Sequence, residues 1–220
     1  MNLFTVSRYV AVKMDLPSDD ASRVEVVSQL RRQEDQLFVQ AAGLKRHDLG
    51  LQEPPLVGPG AFDITNLEAD VVALSASLLP YLLAILPGGG DPSEVNVYCP
   101  MGIGGHRNHL STLLAVRGAY DVLRHRCTLF LYEDLHYASD PRLREVGLQR
   151  AARIFSGNQL SPIVVPLNSH EAEHKMQWIS LYASQHTHMP RLADFTPASG
   201  RAFGLHEIIW QVSPLAGVQA

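Results

Sequence analysis

Residues 94–132 read EVNVYCPMGIGGHRNHLSTLLAVRGAYDVLRHRCTLFLY, and the order of patterns within them decides the fold. Glu94 to Cys99 is a short β-prone run that stops at Pro100. A glycine-rich turn follows and passes into an apolar-periodic helix that runs to Leu123. Cys127 to Tyr132 is then a continuous apolar run, the pattern of a strand covered on both faces. Strand, helix and strand in that order predict a β-α-β unit, in which the two strands lie parallel because a helical crossover joins them.

The flanking sequence extends the same alternation. Asn2 to Val12, rich in Phe, Thr, Val and Tyr, reads as a strand entering a loop. Asp19 and Asp20 are natural caps for a helix over Ala21 to Ala42, which Gly43 can end. Within it Val24, Val27, Leu30, Leu37, Phe38 and Ala41 keep mainly to one face. Asn66 can cap the next helical stretch, whose most apolar part, Val71 to Leu86, predicts a buried helix pair or one helix kinked at Pro80. A helix over Leu143 to Phe155, a strand at Pro162 to Leu167 and a helix capped by Asn168, with Glu171 at the capping-box position, come next. A last strand is read at Glu207 to Val212. The clusters Pro54 to Gly60 and Pro87 to Pro92 read as loops. Together these predict an α/β layered fold with a mostly parallel sheet, as one domain over residues 1–220.

Composition narrows the class. The chain has 220 residues, 46% of them hydrophobic and 18% charged, with a formal charge of −4. A chain of that length buries roughly 70% of its unfolded surface, enough for one core without a disulfide scaffold. Cys99 and Cys127 sit in apolar runs and read as free, buried thiols of a reducing compartment, by default the cytoplasm. Mild acidity without a dense Lys/Arg tract argues against nucleic-acid binding. The opening MNLFTVSRYVAVKMDLP lacks a basic region leading into a long apolar core, and Val71 to Leu86 is shorter than a bilayer span, so neither a secretory leader nor a membrane span is expected.

In an open parallel sheet, ligands bind beyond the carboxyl ends of the strands. Two loops fall there. In Gly102-Ile103-Gly104-Gly105-His106-Arg107-Asn108-His109, two imidazoles stand three residues apart at a helix mouth, and the glycines let a ligand approach the backbone. Imidazole can ligate a metal, transfer a proton or donate to a developing oxyanion. The plainer alternative is that one histidine caps the helix and the other is exposed. The second loop, Tyr132-Glu133-Asp134-Leu135-His136-Tyr137, brings two acids and a histidine to the same edge; capping or a solvated turn is its plainer reading. His170 and His174, four apart on a helix, have metal-ligand spacing, but Glu171 and Glu173 between them point to a polar, exposed face. His186 and His188 read as loop residues, and Pro17-Ser18-Asp19-Asp20 as a helix cap.

These segments resemble, in order, the motifs of the LmbE-like, or PIG-L-like, zinc-dependent N-deacetylases. Pro100-Met101-Gly102-Ile103-Gly104-Gly105-His106-Arg107-Asn108-His109 is similar to the family's P-L-G-x-G-G-H-x-D-H element. Arg31 to Asp35 resembles its R-R-x-E-D helix, Leu131 to Ala138 its F-Y-E-D-L-P-Y-A segment, and Tyr182 to Gln185 its Y-x-S-Q turn. The likeness covers about residues 1–190 and implies a Rossmann-like sheet with the site at the strand ends. It implies that His109 binds the metal and His106 stabilises the oxyanion or protonates the leaving amine. It further implies that Gly104, Gly105, Glu133 and Asp134 contact substrate, with zinc as cofactor. Asn108 replaces the family's aspartate and His136 its proline. The family's H-P-D-D segment, which supplies two further zinc ligands and the base, has no counterpart here. Met1 to Val6 resembles the strand after it, so the first strand of the family fold is expected to be absent and its neighbours' edges exposed.

The resemblance therefore implies metal-dependent deacetylation of an N-acetylated amino sugar or related small conjugate, incomplete or inactive in this chain as it stands. The alternative is a non-catalytic binder of a sugar-like ligand or a partner-dependent subunit. A third reading is a degenerate fragment whose apolar strand edges drive it into a homo-oligomer.

Overall fold

The computed structural model describes residues 2–53, 56, 60–185, 191–198 and 204–215. His186, His188 and most of the Pro54 to Gly60 cluster lie outside the described residues. The chain divides into two compact units, one formed by residues 1–60 and 168–192, the other by residues 61–167 and 193–220.

In the first unit, β1 (Asn2–Val6) pairs in parallel with β2 (Asp48–Gln52), and α1 (Asp20–Ala41) connects them. The carboxylate of Asp19 caps α1 by accepting the Ser22 N–H at 2.8 Å. Gly43 takes a positive φ just beyond the helix end, as expected from its place in the sequence. Buried polar groups tie α1 to its surroundings. Ser28 exchanges hydrogen bonds with the backbone of Ser7, and Arg31 donates to Glu53 Oε1 and Ser7 Oγ. Glu34, buried, accepts both the N–H and the hydroxyl of Ser184, each at 2.7 Å. The R-R-x-E-D and Y-x-S-Q segments thus meet, and a carboxylate holds the 3-10 turn Ala183–Gln185. The strand β2 was not anticipated, because its sequence DLGLQ is short, polar at both ends and interrupted by glycine. The unit also contains the helix Ser169–Ser180, closed at its start by the expected reciprocal cap between Asn168 and Glu171.

In the second unit, α2 (Leu67–Ile85) leads to a four-stranded sheet of order β3-β4-β6-β5, with β3 at Asn96–Pro100, β4 at Thr128–Tyr132, β5 at Asn158–Pro166 and β6 at His206–Pro214. α3 (Arg107–Leu123) is the crossover between the parallel strands β3 and β4, as the 94–132 pattern predicts. β6 runs antiparallel to both β4 and β5, so the sheet is mixed. β3 is an edge strand of this sheet. The core joins Cys99, Leu129, Leu131, Ile208 and Val212 of the sheet to Leu110, Leu113, Val116 and Tyr120 of α3. Both cysteines are unbridged and buried.

α2 is the single-helix alternative rather than the helix pair, and it corrects the expected burial and length: it runs through Pro80 and buries only the stripe Leu74, Leu78, Leu82 while Val72 and Ile85 are exposed. The carbonyl that Pro80 leaves without a donor belongs to Ala76, which is exposed, so water can satisfy it. At 19 residues and a mean hydropathy of 1.5 over its most apolar window, the helix is long and apolar enough to cross a membrane, contrary to the length read from sequence. In this structure it packs along α3, and the buried guanidinium of Arg107 clasps Asp70 in a two-pronged pair.

Candidate active site

The carboxyl end of β3 runs directly into Met101 and Gly102, and the Met101 N–H is held by the Tyr132 carbonyl at 3.0 Å. The next residues, Ile103–Gly105, form a 3-10 turn in which Gly104 adopts φ +84° and Gly105 φ +79°. A side chain at Gly104 would strike the Tyr137 ring, whose carbon Cγ lies 2.3 Å from where its Cβ would be. The glycines therefore do more than turn the chain: Gly104 makes room for Tyr137.

His106 begins α3. Its Nδ1 accepts the Asn108 N–H at 3.2 Å, which is the helix-capping role open to it from sequence. His109, one turn on, is partly exposed, and its Nδ1 stands 2.7 Å from Oδ1 of Asp134. The two imidazoles are 5.1 Å apart between ring centroids. Phe62 and Tyr137 flank them: Phe62 meets His106 edge-on at 5.5 Å, and Tyr137 meets His109 edge-on at 6.2 Å. Phe62 is exposed, so the cluster presents an aromatic wall to solvent. Neither aromatic had been singled out from sequence, although Tyr137 lies inside the acidic-loop motif.

The two acids of the second loop point inward. Asp134, 2% exposed at its side chain, accepts the Ile103 N–H through Oδ2 and faces His109 through Oδ1, so it joins the two loops. Glu133 is fully buried at its side chain. Its oxygens accept two bonds from Arg144, at 2.7 and 2.8 Å, and one from the indole N–H of Trp210 at 3.0 Å. With three donors and no exposed edge, Glu133 braces β4 and β6 against the helix α4 (Pro141–Ile154, which carries Arg144). These bonds give both acids a positioning role. Arg144 itself carried no signal beyond its basic charge.

The resemblance implies zinc. A catalytic zinc takes three protein donors and leaves one position for water. His109 Nδ1 and Asp134 Oδ1 are both buried atoms without an aligned hydrogen bond, so two donors converge. His106 Nδ1 is committed to the cap. No group of three His, Cys, Asp or Glu side chains suited to an ion occurs among the described residues. The described residues do not complete a zinc set. His170 and His174, both exposed, lie on the Ser169–Ser180 helix and belong to the other unit.

No family model and no curated protein matches the chain. Solved structures do. The A40926 pseudoaglycone deacetylase is similar at a TM-score of 0.60 and 20% identity, over 98% of this chain and 86% of that one. The deacetylase–teicoplanin complex from teicoplanin biosynthesis is similar at 0.65 and 16%, over 96% and 87%. The zinc-inhibited form of the teicoplanin deacetylase is similar at 0.64 and 16%, over 96% and 86%. The fold is therefore the Rossmann-like α/β fold of these deacetylases.

Proposed function

We propose that this chain is a member of the LmbE-like, or PIG-L-like, deacetylase group and that its crevice takes an N-acetylated amino sugar or a related small conjugate. The observation that carries the reading is the imidazole of His109, held 2.7 Å from a buried Asp134 beside His106 at the carboxyl end of a parallel strand. Two of the similar structures are an A40926 pseudoaglycone deacetylase and a deacetylase in complex with teicoplanin, which supports an N-acetylated conjugate as ligand. The aromatic wall of Phe62 and Tyr137 gives a sugar or acyl group a surface to pack on. The resemblance implies that His106 meets charge developing on an acyl oxygen, and Asp134 faces the ring of His109. The resemblance assigns His109 to zinc, and the described residues supply no set that would complete its coordination.

A second reading, a non-catalytic binder, is favoured by the incomplete donor set and by Asn108, whose buried Oδ1 has no hydrogen-bond partner. One experiment separates the two. The purified chain and its His109→Ala variant are loaded with zinc, gel-filtered, analysed for metal and incubated with an N-acetylglucosaminyl conjugate. Acetate release that disappears in the variant supports hydrolysis. Saturable binding of the conjugate without acetate release supports the binder. Neither release nor binding would sink both. The unbridged, buried Cys99 and Cys127 support a reducing, cytoplasmic compartment.

A further inference from the structure

The Ser169–Ser180 helix carries a feature that the crevice does not use. His170 and His174 are one turn apart on it, and their ring centroids are 4.1 Å apart at an interplanar angle of 51°. Both residues are exposed. Neither ring hydrogen-bonds or ion-pairs with any described residue, so their nitrogens are not committed to the fold. The reciprocal cap between Asn168 and Glu171 fixes the turn from which His170 projects. The positive end of the helix disfavours a cation there, but Glu171 and Glu173 place carboxylate charge on the same turn and offset it. His174 also lies 5.9 Å from Trp178, centroid to centroid.

We propose that His170 and His174 form a surface chelate for a borderline divalent transition ion, separate from the crevice at His109. Two neutral imidazoles on adjacent turns of a helix offer two nitrogens to one ion, and water fills its remaining positions. The site is therefore exchangeable rather than structural, and its preference follows the general order for nitrogen donors, copper(II) above nickel(II) and zinc. No third protein ligand is required. One consequence concerns the crevice: a zinc count on the whole protein includes ions held on this helix.

Trp178 makes the site readable. Copper(II) chloride titrated into the full chain should quench tryptophan fluorescence saturably at about one ion per chain, and Trp178→Phe should remove the quenchable component. His170→Ala and His174→Ala should each weaken the binding by about tenfold or more, since each removes one of two ligands. His125→Ala, at an exposed histidine of the other unit, should leave the titration unchanged. Both substitutions fall on exposed helix positions, and circular dichroism checks that the helix persists. Electron paramagnetic resonance of the copper-loaded chain should show nitrogen ligation that is lost in the His170→Ala/His174→Ala double variant. Quenching that survives in that folded double variant overturns the proposal without touching the reading of the crevice.

Discussion

Asp134 and His109 come from loops after different strands, yet Oδ1 of the one lies 2.7 Å from Nδ1 of the other while Oδ2 accepts the Ile103 N–H at 2.8 Å. One buried carboxylate thus sets both the ring of His109 and the glycine turn in front of it. Parallel pairing of β3 with β4 makes this unavoidable, since it brings both carboxyl ends to one edge.

Asp134→Ala should leave the Ile103 amide buried without an acceptor and cost about 1–3 kcal/mol in urea denaturation. Asp134→Asn keeps an oxygen for that amide and loses the charge facing His109. It should fold with a smaller loss of stability but bind the conjugate more weakly. Equal stability and equal affinity in both variants would show that the carboxylate does neither task.

Gly104 and Gly105 share a left-handed backbone but not a neighbourhood. At Gly105 a Cβ would meet only Arg150, at 3.7 Å, whereas at Gly104 it would enter the Tyr137 ring. Gly105→Ala should therefore cost about 1 kcal/mol, the backbone penalty alone. Gly104→Ala should cost about 2–4 kcal/mol, because backbone strain and displacement of Tyr137 combine. Thermal unfolding of the two variants side by side checks the order, and a reversed order would mean that Tyr137 moves freely.

Much of this was legible in the letters. The 94–132 pattern gave the parallel pair and its crossover, and the caps at Asp19 and Asn168 were readable because a side-chain acceptor at a helix start is a local signal. β2 was not legible: Gly50 sits at φ +69° in its middle, the register with β1 shifts, and the pairing rather than propensity makes the strand. The two site loops were correctly brought to one edge. What sequence did not disclose was the direction of the acids, because the partners of Glu133, Arg144 and Trp210, arrive from a later helix and from the last strand.

That triad yields its own test. Arg144→Met leaves the Glu133 carboxylate buried against Trp210 alone and should cost about 3–5 kcal/mol, while Glu133→Gln, which leaves no unpaired buried anion, should cost less. Trp210 fluorescence should report the change. If Glu133→Gln left stability intact but abolished conjugate binding, the acid would contact the ligand, as the resemblance implies.

Cys99 gives a prediction in pH. Burial, with the nearby charge of Asp134 as a smaller cause, pushes its thiol well above the ordinary value, and burial raises Cys127 likewise. A thiol that stays protonated is a poor nucleophile, so neither cysteine should react quickly with a disulfide reagent in the native protein, and both should react in denaturant. The sign for stability follows. Above the ordinary thiol range the unfolded chain releases protons that the native chain keeps, so the native state binds more protons and loses stability as pH rises. Below that range the two states carry equal thiol protons and the contribution is constant. Urea midpoints should therefore fall at alkaline pH, and fall less in a Cys99→Ala variant, whose small side chain removes the titrating group at the cost of a cavity that is the same at every pH. Fast labelling of Cys99 in the folded chain at neutral pH would show that β3 opens locally and would remove the basis for this dependence.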